Sequence, residues 1–312
     1  PDASAEEKRK AEWSIQEPAR NKAKHLWDAL QKKEDLLLIS RTPLILSLIT
    51  LVHKNRSDLP EGRAKLYGEC LEILLETWDR VEHEIDEDPT NLSVKSKMLV
   101  LQTIAYHFLQ NDLLELDAPA IEKLVDPLLP RIYPDGKNKL TAAELVKKLY
   151  QRSGVIVEKS IGSYRFAHRA LQAYLAAVAV IENGQDDLLL CHAAEEAWRE
   201  VILIAAWLAP EERRDKLIQS LALQGGENAA SLALAGWSLA EGAPVGEKVR
   251  AEVKRQLITG FDCLDKADDF RLLTGALWLV DREAALACLR ETLSSRNDPL
   301  RTRTLSYLSD LP

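Results

Sequence analysis

Glycine and aromatic residues are scarce in this chain of 312 residues. It contains 13 glycines, and aromatic residues make up 6% of the total, although seven of them are tryptophans. Strand-rich folds usually need glycine-containing turns and many aromatic or β-branched residues. The scarcity therefore favours a mainly helical protein.

Cysteine and long apolar runs are also sparse. The four cysteines, Cys70, Cys191, Cys263 and Cys288, are scattered and form no C-x-x-C pair, which favours reduced thiols over disulfides or a zinc site. The apolar stretch "VILIAAWLAP" at 201–210 is too short to span a membrane, and the N-terminal sequence has no signal-peptide core. We therefore expect a cytoplasmic protein with no membrane partner.

Positive charge is in deficit, with a net charge of −8 and a pI near 5.4. This balance argues against a general nucleic-acid binder. The P-loop pattern G-x-x-x-x-G-K-[ST] is absent, as are G-x-S-x-G and H-E-x-x-H. No residue is therefore assigned a catalytic role, and this chain alone is not expected to hydrolyse ATP.

Local signals define a first helix and a long second one. In "RTPLILSLITLVHKN", Thr42 can cap a helix and Pro43 suits its first position. The apolar run 44–52 predicts that this helix is buried on most sides. Apolar residues recur every three or four positions from Leu66 to Trp78, which predicts a long amphipathic helix.

The clearest β signal follows a well-marked helix. "LTAAELVKKLYQRSG" begins with a capping box, Thr141 and Glu144, and ends at Gly154, which suits a left-handed helix stop. "VIVEKSIGSYRFAH" then predicts a hairpin that turns at 161–162, before an alanine-rich helix. Helix, hairpin and helix in this order indicate a winged helix.

From about residue 181 the chain consists of Ala/Leu-rich helical segments of ten to fifteen residues. Trp237 and Trp278 lie 41 positions apart in similar surroundings. This spacing predicts helical-pair repeats of the HEAT kind.

Three segments together carry a family resemblance: "RTPLILSLITLVHKNRSDLPEGRAKLYGECLEILLETWDR", "YQRSGVIVEKSIGSYRFAHRALQAYLAA" and "AWREVILIAAWLA". Their order resembles the C-terminal half of a NACHT-module NTPase of the STAND class, over roughly residues 20–210. The resemblance implies the end of a NACHT helical domain at 1–60, a winged-helix domain at 61–182 and a HEAT-like helical region at 183–312. The expected fold class is mainly α with a small β-hairpin.

The resemblance also implies nucleotide-binding positions. It places Pro43 against the adenine and His168 against the β-phosphate of ADP, with Thr42 and Arg169 in supporting positions. A histidine at the start of a helix lies beside unpaired N–H groups and the positive end of the dipole, which suits an anionic oxygen. The alternative is that His168 is a capping or core residue, and Pro43 an ordinary first-turn proline.

The sequence departs from the family where an aromatic and a glutamate are common after the histidine. It has Leu171 and Ala173 there. This departure concerns the local packing more than the histidine itself.

The implied function is regulatory. The resemblance predicts that this chain latches the ADP-bound closed state and controls oligomerisation, while an N-terminal NACHT half binds most of the ADP or ATP and its Mg²⁺. The expected partners are that half, further copies of the protein, and a trigger bound by the helical region. The chain is therefore expected to be a fragment or a truncated relative, and bacterial members of the class often serve in defence signalling.

Two other functions remain open at this point. One is a helical-repeat scaffold for protein interaction, without a nucleotide role. The other is DNA binding by the winged helix, which the acidic composition and the interrupting Glu144 and Glu158 argue against. The basic residues that would carry DNA binding are Lys147, Lys148, Arg152, Lys159 and Arg165.

Two acidic or histidine-containing clusters contain residue types that can ligate metals. His192, Glu195 and Glu196 have helical spacing but no fourth ligand, so a charged helix surface is the preferred interpretation. The acidic stretch from Glu82 to Asp88 lacks the glycine and the distal glutamate of a calcium loop, and we interpret it as a solvated linker.

Overall fold

The computed structural model divides the chain into two compact units, 1–73 and 74–312. It describes residues 20–33, 36–37, 40, 42–56, 58–82, 92–134, 136, 140–226, 228–260, 267–294, 301–302 and 304–305. In these residues the α-helices after the helical stretch 20–30 are α1 (Pro43–Arg56), α2 (Gly62–Glu82), α3 (Val94–Gln110), α4 (Ala118–Val125), α5 (Leu129–Ile132), α6 (Ala142–Ser153), α7 (Arg169–Glu182), α8 (Asp186–Cys191), α9 (Glu196–Leu208), α10 (Glu211–Leu223), α11 (Ala229–Ala240), α12 (Glu247–Gly260), α13 (Ala267–Val280) and α14 (Arg282–Ser294). The strands are β1 (Leu116–Asp117), β2 (Ile156–Ser160) and β3 (Ser163–Phe166), and short 3-10 turns occupy Asp126–Leu128 and Gln224–Gly226. The mainly helical fold with a small sheet is therefore confirmed.

In the first unit, α1 begins as its sequence predicts. The Thr42 hydroxyl accepts the Ile45 N–H at 3.4 Å, and the Thr42 carbonyl accepts the Leu46 N–H at 3.1 Å. Pro43 takes the first helical position, where a missing N–H removes no helical bond.

The expectation that α1 is buried on most sides is wrong. Ile45, Leu48, Ile49 and Val52 are buried and form one stripe at helical spacing. On the opposite side Leu46 is 44% exposed, and Ser47 and Thr50 are exposed as well. Helix α1 is therefore amphipathic, and Ser47 and Thr50 within the apolar run lie on its exposed face.

Helix α2 is the long amphipathic helix that the apolar spacing predicts. Leu66, Tyr67, Cys70 and Leu71 are almost completely buried. The first unit ends within this helix, at Ile73. The side chain of Trp78 and most of the acidic stretch that follows α2 lie outside the described residues.

The second unit contains the predicted winged helix. Strands β2 and β3 form an antiparallel hairpin with Ile156 opposite Phe166. The turn falls at Ile161 and Gly162, and Gly162 has a φ of +74°, which glycine adopts without a steric penalty. A carboxylate oxygen of Glu158 accepts the Gly162 N–H at 2.8 Å, so the turn is braced by its own strand.

A third strand completes the sheet and was not expected from the sequence. Strand β1 pairs antiparallel with β3, with Leu116 opposite Tyr164, and gives the strand order β1-β3-β2. The Ala118 N–H also donates to the Gly162 carbonyl at 2.9 Å. Two residues are too few to show the alternating pattern of a strand.

Helix α6 has the predicted start and stop. The Thr141 hydroxyl accepts the Glu144 N–H at 3.2 Å, and the Glu144 carboxylate accepts the Thr141 N–H at 2.9 Å. The Thr141 hydroxyl also donates to this carboxylate at 2.8 Å, and the bonds from the Thr141 N–H and hydroxyl to the carboxylate hold the pKa of Glu144 below its usual value. Gly154 ends the helix in the left-handed conformation, with a φ of 64°.

Aromatic side chains join the sheet to the helices around it. The rings of Phe108 in α3 and Phe166 in β3 meet edge to face, with centroids 5.6 Å apart. The ring centroid of Tyr150 in α6 lies 5.0 Å from that of Tyr164 in β3. The hairpin is therefore packed on both α3 and α6, and the end of β3 has a fixed position relative to the helices.

Helices after the sheet stack in two layers. In one layer α7 packs on α3 and α9, α9 packs on α11, and α11 packs on α13. In the other layer α10 packs on α12, and α12 on α14. This is the stacking that helical-pair arrays share.

The rings of Trp237 and Trp278 have similar surroundings, as their spacing suggests. The guanidinium carbon of Arg199 lies 4.1 Å from the Trp237 ring centroid, and that of Arg282 lies 4.6 Å from the Trp278 ring centroid. The HEAT-like period itself stays a prediction.

Candidate functional site

His168 lies at the junction between β3 and α7. The Ala167 N–H donates to the Val155 carbonyl at 2.9 Å, which fixes the turn that leads into the helix. The His168 carbonyl accepts the Gln172 N–H at 3.2 Å. His168 has an extended backbone, with φ −138° and ψ 126°, and is the N-cap residue of α7.

The His168 side chain does not cap its own helix. It is exposed, and among the described residues it makes no capping hydrogen bond. By contrast α3, α4 and α6 are capped by the side chains of Ser93, Asp117 and Thr141. Neither structural alternative considered for His168, a capping or a core histidine, describes this arrangement.

The first turn of α7 carries positive potential. The N–H groups of its first three residues have no acceptor within the helix, because hydrogen bonding begins one turn further along. No acidic residue occupies this turn, and Arg169 at its first position is exposed. Arg165 on β3 is exposed as well. An anion beside His168 would therefore meet amide groups with no acceptor within the helix, the positive end of the helix and exposed guanidinium groups.

The two departures from the family pattern lie on the packed side of α7. Leu171 is 1% exposed and Ala173 is 8% exposed. Both positions serve the packing of α7, where a small residue allows a close approach of neighbouring helices. They leave the exposed His168 and Arg169 unaffected.

Thr42 and Pro43, the other two residues assigned by resemblance, are adjacent in the first unit. Both are exposed at the start of α1. The Pro43 carbonyl accepts a hydrogen bond from the Ser47 hydroxyl at 2.8 Å. His168 and Arg169 belong to the second unit.

His192 has a structural environment rather than a ligand set. Its Nδ1 lies 2.8 Å from a carboxylate oxygen of Glu195, and its ring stacks on the buried ring of Trp198 with centroids 4.2 Å apart and an interplanar angle of 5°. No group of three or more His, Cys, Asp or Glu side chains that could hold a metal occurs in the described residues.

The helix that would enter a DNA groove carries charges of both signs. On α6, Glu144 and Lys147 are exposed and Lys148 is half-exposed, so a carboxylate lies among the lysines that would contact phosphates. On the wing, Lys159 forms an ion pair with Glu115 at 3.4 Å. The side chain of Arg152 lies outside the described residues.

Comparison with family models found one match, in the winged-helix segment. Residues 63–180 match the family described as the winged helix-turn-helix domain C-terminal to NACHT. They are similar to a NACHT-associated winged-helix domain. This match supports the chain as a C-terminal, regulatory part of a NACHT protein and implies a NACHT region N-terminal to it.

The match to the NACHT-associated domain covers His168 and Arg169 but not Thr42 or Pro43. Comparisons with curated proteins and with solved structures gave no significant match. Among the residues that the structure describes, no helix combines the length and the apolar character needed to cross a bilayer.

Arg213 and Asp186 form an ion pair that has no signal in the sequence. Arg213 and Asp186 are 27 positions apart and meet only because α10 packs on α8. Nothing in their local sequence distinguishes them from solvated surface charges.

Proposed function

We propose that the winged-helix domain latches the ADP-bound closed state of a NACHT signalling NTPase and thereby controls its oligomerisation. The observation that carries the proposal is the exposed, non-capping His168 at the start of α7, inside a NACHT-associated domain. An imidazole in this position can donate a hydrogen bond to a phosphate oxygen, and the N–H groups beside it favour the same anion.

The nucleotide would be shared between two parts of the protein. The N-terminal NACHT region would supply the phosphate-binding loop and hold most of the ADP or ATP with its Mg²⁺. This chain would contribute His168, supported by Arg169, at the terminal phosphate of ADP, and Pro43, supported by Thr42, at the adenine. The exposure of all four residues supports these roles, because a covered residue could not reach a ligand.

The switch would be a two-state equilibrium. Contact with the β-phosphate of ADP stabilises the closed state, and exchange for ATP changes that contact, so the open state and its oligomerisation surface become favoured. A ligand can shift such an equilibrium only by its difference in affinity for the two states. The protein would act in cytoplasmic defence signalling, an expectation that comes from the class alone.

The stacked helices from α9 to α14 favour a second role, protein interaction. Arrays of helical pairs present extended surfaces on which other proteins bind. We propose that this HEAT-like region binds the trigger or holds the closed state. A scaffold without a nucleotide role would keep this function and lose the role of His168.

The test is ADP retention by the parent NACHT protein with and without His168. We expect His168→Ala to speed the release of a fluorescent ADP analogue about tenfold or more, since a hydrogen bond to a charged group contributes about 1.5–3 kcal/mol. His107→Ala serves as a matched control, because His107 lies in the last turn of α3 in the same domain. Unchanged release after His168→Ala would refute the latch and favour the scaffold.

A further inference from the structure

Arg213 of α10 fastens the C-terminal end of α7. Its Nε and Nη2 donate to the two carboxylate oxygens of Asp186 at 2.8 and 2.6 Å. Its Nη1 and Nη2 also donate to the carbonyl of Ile181, both at 3.1 Å. One guanidinium group therefore holds both the last turn of α7 and the first residue of α8, a geometry that only arginine provides.

The same end of α7 is fastened to the winged helix from the other side. The Tyr106 hydroxyl of α3 donates to Oε1 of Gln185 at 2.7 Å, and Gln110 donates to the same hydroxyl at 2.6 Å. Gln185 lies in the turn between α7 and α8. The C-terminal end of α7 is thus tied to α3 by Tyr106 and to α10 by Arg213.

Helix α7 connects this fastened C-terminal end to His168 at its N-terminal end. Its 14 residues span about 21 Å. It lies between α3 and α9, and Leu175, Ala176, Ala177 and Val180 are fully buried in its middle. Small buried side chains leave little room for the helix to shift without losing contacts on one side. A displacement at one end of α7 must therefore reach the other end, where His168 stands.

We propose that Arg213 is a positioning residue. Through α7 it couples the helical array, the stacked helices from α9 to α14, to the phosphate contact of His168. This proposal rests on the function proposed above and adds its regulation: a ligand that moves α10 in the array changes how long ADP is retained. Arg213 itself touches no nucleotide. Its effect on ADP would pass entirely through the position of α7.

The next residue in the chain is a matched control. Arg214 also donates to backbone carbonyls, from Nε to Ala206 at 3.1 Å, from Nη1 to Pro244 at 2.7 Å and from Nη2 to Ala209 at 2.6 Å. All three acceptors belong to α9 or to loops of the array. Loss of the Arg214 contacts should destabilise the array without releasing α7.

The experiment compares ADP release from the parent NACHT protein carrying Arg213→Lys, Asp186→Asn, Arg214→Lys or His168→Ala. Lysine keeps the charge but cannot bridge Asp186 and Ile181 in this way. We expect Arg213→Lys and Asp186→Asn to speed release of a fluorescent ADP analogue at least about fivefold, the lower range of allosteric coupling. Arg214→Lys should lower the Tm to a similar extent and leave the release rate unchanged.

The double variant Arg213→Lys/His168→Ala separates coupling from general destabilisation. If Arg213 acts through His168, the double variant releases ADP no faster than His168→Ala alone, because the contact it positions is already lost. Multiplication of the two single effects would overturn the proposal. So would equal acceleration by Arg213→Lys and Arg214→Lys.

The two proposals fail in different ways. If His168→Ala speeds release and Arg213→Lys does not, the latch stands and the coupling is refuted. If His168→Ala leaves release unchanged, the latch fails and the coupling through it fails as well.

Discussion

The backbone of Gly236 in α11 lies against Ala276 in α13. A Cβ atom on Gly236 would stand 3.1 Å from the Cβ of Ala276 and 3.0 Å from a methyl group of Leu257 in α12. The Ala276 Cβ is fixed to the backbone of its helix and cannot rotate away. Three helices therefore meet at a point where a Cβ atom fits only if a neighbour moves by a few tenths of an ångström.

Gly236→Val should destabilise the protein by overpacking this point. We expect a loss of about 1–3 kcal/mol in the free energy of unfolding, measured by urea denaturation. Gly275→Val is the matched control, since a Cβ on Gly275 in α13 would meet nothing within 4 Å. A similar loss in both variants would show that valine itself, and not the contact with Ala276, is responsible.

Thr141→Ala should weaken α6 by removing the hydroxyl that accepts the Glu144 N–H. N-cap substitutions of this type cost about 1 kcal/mol. Thr141→Ser keeps the acceptor and should remain close to the wild type in urea denaturation. An equal loss in the serine variant would contradict the assigned cap.

Asp281 gives the stability of the array a defined pH dependence. Its pKa is lowered, first by the Ala284 N–H, which donates to it at 2.9 Å, and then by Lys254, with which it forms an ion pair. Because the folded pKa lies below the unfolded value, the stabilisation is present above about pH 4 and is lost as the pH falls through the folded pKa. Asp281→Asn keeps an acceptor for the cap but has no charge to titrate.

The difference in stability between wild type and Asp281→Asn should therefore be larger at pH 7 than at pH 3. Urea denaturation at both values measures it. A difference that stays constant over this range would show that the charge of Asp281 contributes nothing.

The thiols should differ widely in reactivity. Burial raises the pKa of Cys70 to about 12, and Cys288 is also buried, whereas Cys191 is exposed at the end of α8. The thiolate is the reactive form, so Cys70 should resist a disulfide reagent at pH 8 in the folded protein. Cys191→Ser should remove one thiol from the fast phase of the reaction. Rapid labelling of Cys70 without denaturant would contradict its burial.

Features encoded by neighbouring residues could be predicted from the sequence. The capping box of α6, the Gly154 stop and the hairpin turn at Gly162 all depend on contacts within a few positions. The prediction that α1 is buried on most sides is wrong, because a run of apolar residues does not show which side of a helix faces the solvent. Strand β1 was missed, because it exists only through its pairing with β3.

The candidate site shows the same division. The position of His168 before a helix could be inferred from the order of hairpin and helix, and its exposure could not, since exposure depends on every element that packs nearby. The clamp of Arg213 on Ile181 joins residues 32 positions apart. A carbonyl acceptor has no sequence signature, so only the packed structure reveals such a contact.

Helix α7 packs on both α3 and α9, so the winged helix and the array share this helix as part of their cores. A recombinant winged-helix fragment that ends at residue 182 would bare the alanine-lined side of α7 to water and invite aggregation. A shorter fragment of the protein should keep α9 and α10 with the winged helix, so that α7 remains packed on both α3 and α9.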